Sequence, residues 1–156
     1  MQSREECNFP TDRRGELGHG FRMSVGAHPG GVGEVNAAFT GFAEAHALPE
    51  PVRRSVSVAV DELLANALSH GRAGGDPCSV TVEVKLDHER VTVIVTDDGP
   101  PFDPFGRGAP DTTLSVEERP IGGLGIHLAG QLMDQVNYQR RDGHNVVVLV
   151  KELANG

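Results

Sequence analysis

Apolar residues change period along the chain, and the change separates helical from extended segments. From about Val32 to His46, Val35, Ala38, Phe39 and Phe42 recur on one helical face. "LPEP" interrupts this pattern, because proline is tolerated at a helix start but not inside a helix. A second helix is predicted from about Val52 to His70. Val56, Val60, Leu63, Leu64 and Ala67 form its stripe, and Gly71 suits the left-handed cap beyond it. The period then becomes two. "CSVTVEVKL" (78–86) and "RVTVIVTD" (90–97) alternate, are rich in β-branched residues and read as a hairpin joined by "DHE". "GGLGIHLAGQLMDQ" predicts a helix led by glycines. "VNYQRR" and "NVVVLVKEL" predict two strands across Asp142 and Gly143, a favoured two-residue hairpin turn. "FRMSVGA" (21–27) is expected to be a first strand.

Residues 1–20 are polar with scattered proline and glycine. They are expected to be a loosely ordered N-terminal arm ahead of one domain spanning 21–153. Five prolines and little periodicity between Gly99 and Pro120 predict a long functional loop, and its part from about Gly106 to Pro120 is expected to act as a lid, with Arg107 and Arg119 as candidate phosphate contacts. Helices and antiparallel strands segregated along the chain predict an α+β fold, a two-layer α/β sandwich.

The bulk composition narrows the function. With 156 residues, 38% of them hydrophobic, the chain is long enough for one domain with a real core. A net charge of -8 and short, scattered basic pairs argue against a direct nucleic-acid binder. Cys7 and Cys78 lack metal-site spacing, and no apolar run approaches the ~18 residues of a membrane span. A cytoplasmic protein with no membrane partner is expected.

Three motifs remain to be explained. Glu62, Asn66 and His70 recur every four residues on the second helix, roughly 100° from the centre of its apolar stripe, at the border of the buried face. A carboxylate and an amide one turn apart suit a hydrated Mg²⁺ that also takes substrate phosphates, and the carboxylate alone would suit a base. The plain alternative is a solvated edge. In "VTDDGPPFDP" (95–104), Asp97 ends a strand and Gly99 follows in a turn. This is either ordinary turn chemistry or a carboxylate held at the sheet edge to accept a hydrogen bond from a base amino group. In "IGGLGIHLAGQLMD" (121–134), glycines at 122, 123 and 125 precede a helix whose first amides could take an anion. His127 on that helix is read as structural.

In order, these segments resemble the N, G1 and G2 boxes of the GHKL ATPases, the superfamily that includes gyrase and the ATP domains of histidine kinases. "DDGPPFDP" and "GGLGIHLAGQLMD" are most similar to the anti-sigma-factor serine kinases of bacterial partner-switching systems, and the likeness runs over about residues 20 to 153. The resemblance implies the GHKL (Bergerat) ATP-binding fold, with a mixed, mostly antiparallel sheet and helices on one face. It implies ATP and Mg²⁺ as cofactors. By position, Glu62 is then the general base, Asn66 holds Mg²⁺ and the phosphates, Asp97 recognises adenine, and Gly99, Gly123, Leu124 and Gly125 admit the nucleotide. The implied partners are a small anti-sigma-factor antagonist, phosphorylated on serine, and a sigma factor, with homodimer formation as in relatives.

Two departures from histidine kinases stand out. Pro101 replaces a glycine, and no histidine-bearing dimerisation hairpin precedes the domain, so a detached histidine-kinase fragment is not expected. The alternative kept beside the kinase is a nucleotide-sensing module that holds a partner without phosphorylating it.

Overall fold

The computed structural model of the chain describes residues 4–10, 17–25, 30–70, 79–105 and 123–153. Among these residues, six strands form one sheet: β1 (Arg4–Pro10), β2 (Leu17–Val25), β3 (Val80–Leu86), β4 (Arg90–Asp97), β5 (Gln135–Arg141) and β6 (His144–Glu152). Their spatial order is β1-β2-β3-β4-β6-β5. All five pairings are antiparallel, in keeping with the mostly antiparallel sheet that was expected. Three helices, α1 (Gly31–Ala45), α2 (Glu50–His70) and α3 (Gly123–Leu132), complete the α+β sandwich. None of them is long and apolar enough to cross a membrane.

The alternation of the strands decides which face the helices cover. Val80, Val82, Val84 and Leu86 on β3, Val91, Val93 and Val95 on β4, and Val147 and Leu149 on β6 are all buried. They join Phe21, Met23 and Val25 of β2 in a single core cluster with Val35, Phe39 and Phe42 of α1 and Val56, Val60, Leu63 and Leu64 of α2. Full burial of each such side chain contributes about 1.5–3 kcal/mol relative to leaving it in water. Phe21 and Phe42 meet edge to face, with ring centroids 5.3 Å apart.

The junctions follow local chemistry. The Arg53 Nε–H donates to the carbonyl of Leu48 at 2.7 Å, tying the start of α2 to the connection that follows α1. Lys151 on β6 donates to the carbonyl of Leu132 at 3.0 Å, placing a cation on the C-terminal end of α3. Asp142 and Gly143 have φ of 51° and 78°, as a type I′ turn requires.

The arm predicted for residues 1–20 contains β1, which pairs with β2 from Arg4↔Met23 to Pro10↔Leu17. β2 accordingly begins at Leu17, four residues before the predicted strand. The proposed lid, including Arg107 and Arg119, lies outside the described residues, as does the side chain of His70.

Candidate functional site

Strand parity places Asp97. Val91, Val93 and Val95 point into the helix-covered core, so the next odd position sets a carboxylate on the same face, one step beyond the last core valine. The same logic applies on β6, where Asn145 precedes Val147 and Leu149. Register then sets Asp97 directly opposite Asn145. Above them passes the C-terminal half of α2. The result is an open cleft, with Leu63, Asn66 and Ala67 above, Val95, Val147, Asp97 and Asn145 below, and Pro100, Phe102 and Pro104 at its side.

The two adjacent aspartates have separate tasks. The Asp98 carboxylate accepts from the Ser79 amide at 2.8 Å and so ties the turn to β3. Asp97 Oδ1 accepts from the Gly99 amide at 3.0 Å and from Asn145 Nδ2 at 2.9 Å. Its Oδ2 takes no hydrogen bond among the described residues and is left for a donor in the cleft. Gly99 is buried, and its carbonyl accepts from Arg140 Nη1 at 2.7 Å.

Asn66 lines the cleft, and its side chain has no hydrogen-bond partner among the described residues. Glu62 lies one turn earlier on α2, half-buried, and is not part of the lining. Its neighbour Asp61 is held from α1, where Asn36 Nδ2 lies 3.0 Å from both carboxylate oxygens. Burial pushes the Asp61 carboxyl above its ordinary value of 3.8, and the like charge of Glu62 adds to the shift. Gly123, Leu124 and Gly125 form the first turn of α3, which packs against α2, and their placement toward the cleft lies outside what is described. The structure therefore brings Asn66 and Asp97 together at one cleft, and Gly99 lies in the turn that holds Asp97 without lining it. Glu62 sits one turn away on α2, outside the lining.

Sequence reasoning passed over Asn145, Tyr138, Arg140 and Phe102. The available signal was a polar residue heading the apolar run "NVVVLV", since asparagine is depleted in strands.

A base bearing an amino group would suit the acceptor that Asp97 offers, and Asn66 would offer Mg²⁺ one oxygen. Magnesium is usually held through one or two carboxylates with water and substrate phosphates completing its shell, so the Asn66 amide oxygen would act together with the phosphates. Among the described residues no group of three or more His, Cys, Asp or Glu could hold a metal in a protein cage.

Comparison with known proteins gives the family and a related fold. A family model described as a histidine kinase-like ATPase domain matches residues 25–151. The serine-protein kinase RsbW of Bacillus subtilis is 30% identical over 142 residues, covering 87% of this chain and 86% of its own. The serine/threonine-protein kinase BtrW of Bordetella bronchiseptica is 29% identical over 103 residues, 66% of this chain and 72% of that one. In the crystal structure of the RsbU and RsbW domains of a Mycobacterium tuberculosis protein, the fold is similar with a TM-score of 0.62 at 16% identity. That match covers 86% of this chain and 32% of the longer one. With a helix-and-sheet cleft, an Asp-x-Gly turn at its floor and a family match over most of its length, the chain belongs to the histidine kinase-like ATPase domain family, among the relatives of the serine-protein kinase RsbW.

Proposed function

We propose that the protein is an ATP-dependent serine kinase and anti-sigma factor of a partner-switching system, acting in the cytoplasm, as a homodimer, on a small antagonist protein and a sigma factor. The observation that carries the nucleotide part is Asp97, a carboxylate on the cleft floor with Oδ1 occupied and Oδ2 left open. An ionised carboxylate only accepts, so it selects a base that presents an amino group. The kinase part is supported by the family match and by the serine-kinase relatives.

In this reading the adenine lies on Val95 and Val147 with its amino group at Asp97, and the phosphates run along α2 past Asn66. Asn66 would hold Mg²⁺, which neutralises phosphate charge when bound. Gly123, Leu124 and Gly125 would turn the first amides of α3 toward the phosphates. Glu62 would accept the proton of the incoming serine hydroxyl. A second reading, a nucleotide-sensing module without transfer, draws on the position of Glu62 outside the cleft lining. Incubation with γ-labelled ATP and a candidate antagonist separates the two. Labelled phosphoserine on the antagonist is the expected outcome, and nucleotide binding without label leaves the sensing module.

A further inference from the structure

Asn145 is the buried polar side chain among the described residues, with 4% of its surface exposed. A buried amide is costly unless its donors and acceptor are matched, and asparagine is depleted in strands. Here the matching is complete. Nδ2 donates to Asp97 Oδ1 at 2.9 Å and to the Pro100 carbonyl at 2.8 Å. Oδ1 accepts from the Tyr138 hydroxyl at 2.6 Å, the Phe102 amide at 3.1 Å and Arg140 Nη1 at 3.2 Å. The amide orientation is forced, since a flip would set oxygen against a carboxylate and a carbonyl.

These bonds join segments that are far apart in sequence. Asp97, Pro100 and Phe102 belong to the turn after β4, whereas Tyr138 and Arg140 belong to the edge strand β5. Arg140 also grips the turn at the Gly99 carbonyl. The turn that carries Asp97 is therefore clasped from β5 and β6, and the carboxylate is held by one oxygen with the other left over.

We infer that Asn145, braced by Tyr138 and Arg140, is a specificity-determining positioning residue: it fixes the Asp97 carboxylate in the one orientation that accepts an amino-bearing purine and rejects an oxo-bearing one. The inference rests on the reading of Asp97 as the base acceptor. A 6-amino group gives Asp97 Oδ2 a donor, while a 6-oxo group turns a lone pair against it. A carboxylate free to swing has a second option. The ring N–H and 2-amino group of guanine stand side by side as two donors, which an unrestrained carboxylate meets with both oxygens. Discrimination therefore depends on Asp97 being held, and a held acceptor leaves the wrong base with an unmet polar group.

The test is calorimetric titration of ADP and GDP against wild type, Asn145→Ala and Tyr138→Phe, with thermal unfolding to confirm that each is folded. Tyr138→Phe removes only the hydroxyl bond, so it carries the test if Asn145→Ala fails to fold. The ratio of ADP to GDP affinity is expected to fall roughly ten- to hundredfold in Asn145→Ala, the range of one lost hydrogen bond to a charged group, and by a smaller factor in Tyr138→Phe. A purely structural role would weaken both nucleotides equally. An unchanged ratio in the folded variants, beside a wild type that prefers ADP, overturns this inference alone. A wild type without preference for ADP overturns the reading of Asp97 and this inference with it.

Discussion

α1 and α2 lie against the same sheet face with the same kind of apolar stripe, yet their borders differ. α1 buries Val35, Phe39, Phe42 and Ala43, and its half-buried Asn36 is engaged by Asp61 of α2. α2 buries Val52, Val56, Ala59, Val60, Leu63 and Leu64, but beside that stripe it carries Glu62, without a hydrogen bond among the described residues, and Asn66, facing a cleft. The cause is what lies beneath. α1 packs on β2, whose inward residues Phe21, Met23 and Val25 are apolar as far as the C-terminal end of the strand. The C-terminal half of α2 runs over the point where β4 and β6 turn from valine to Asp97 and Asn145. A polar border residue on a helix thus carries chemistry where the sheet below it stops being a core.

The largest expected effect breaks this comparison on the α2 side. Glu62→Gln is expected to leave nucleotide affinity close to wild type and to slow serine phosphorylation by roughly 10² to 10⁴, the contribution of a general base. A single-turnover transfer assay at saturating Mg·ATP, run beside a binding titration, reads both. Transfer at the wild-type rate would reduce Glu62 to a solvated edge residue, and a parallel loss of affinity would make it an organiser of the phosphate site.

On α1 the matching change acts on stability alone. Phe39 is 2% exposed and belongs to the common core. Phe39→Ala is expected to cost about 3–5 kcal/mol, the lost transfer energy plus the cavity left behind. Denaturant unfolding measures this, and titration of the folded fraction is expected to return wild-type nucleotide affinity. A specific loss of affinity at full folding would show that α1 reaches the site after all.

Much of this contrast is legible in the sequence, and the limits have physical causes. The period of apolar residues locates α1 and α2 within about two residues of their observed ends, and it locates both hairpins, because burial on one face imposes that period. β1 escapes because "REECNFP" has no alternation to display, and its order comes from backbone pairing with β2. Asp97 and Asn66 are legible because their motifs are local. The clasp on Asp97 is not, because Asn145 is 48 residues away and reaches it only through the β4–β6 pairing. No local pattern encodes which strands become neighbours.

A smaller effect sharpens the picture of α1 as a purely structural helix. Gly41 is exposed in its interior, and a Cβ built there meets nothing within 4 Å. Gly41→Ala is expected to stabilise by roughly 0.5–1 kcal/mol, because alanine loses less conformational freedom on folding. For a domain of this size that corresponds to a rise in Tm of about 2–4 °C or less. A fall in Tm would mean that α1 needs the glycine, for instance to admit a neighbouring surface.

The smallest expected effect lies between the two helices and is read as a difference between pH values. Asp61 has its carboxyl raised above 3.8, first by burial and then by the charge of Glu62, so the folded state disfavours its ionised form. A raised folded value gives a contribution to stability that is present below the unfolded pKa and is lost as pH rises through the folded one. At neutral pH the charge is therefore a cost, screened by solvent because the group is only half-buried. Asp61→Asn keeps an acceptor for Asn36 Nδ2 and is neutral at every pH. The variant is expected to exceed wild type in denaturant midpoint at about pH 8, with the gap closing toward about pH 4, where wild-type Asp61 is increasingly protonated. A gap that is constant across the series, or that widens toward acid, would mean that the Asn36 hydrogen bond favours the charged carboxylate enough to reverse the effect of burial.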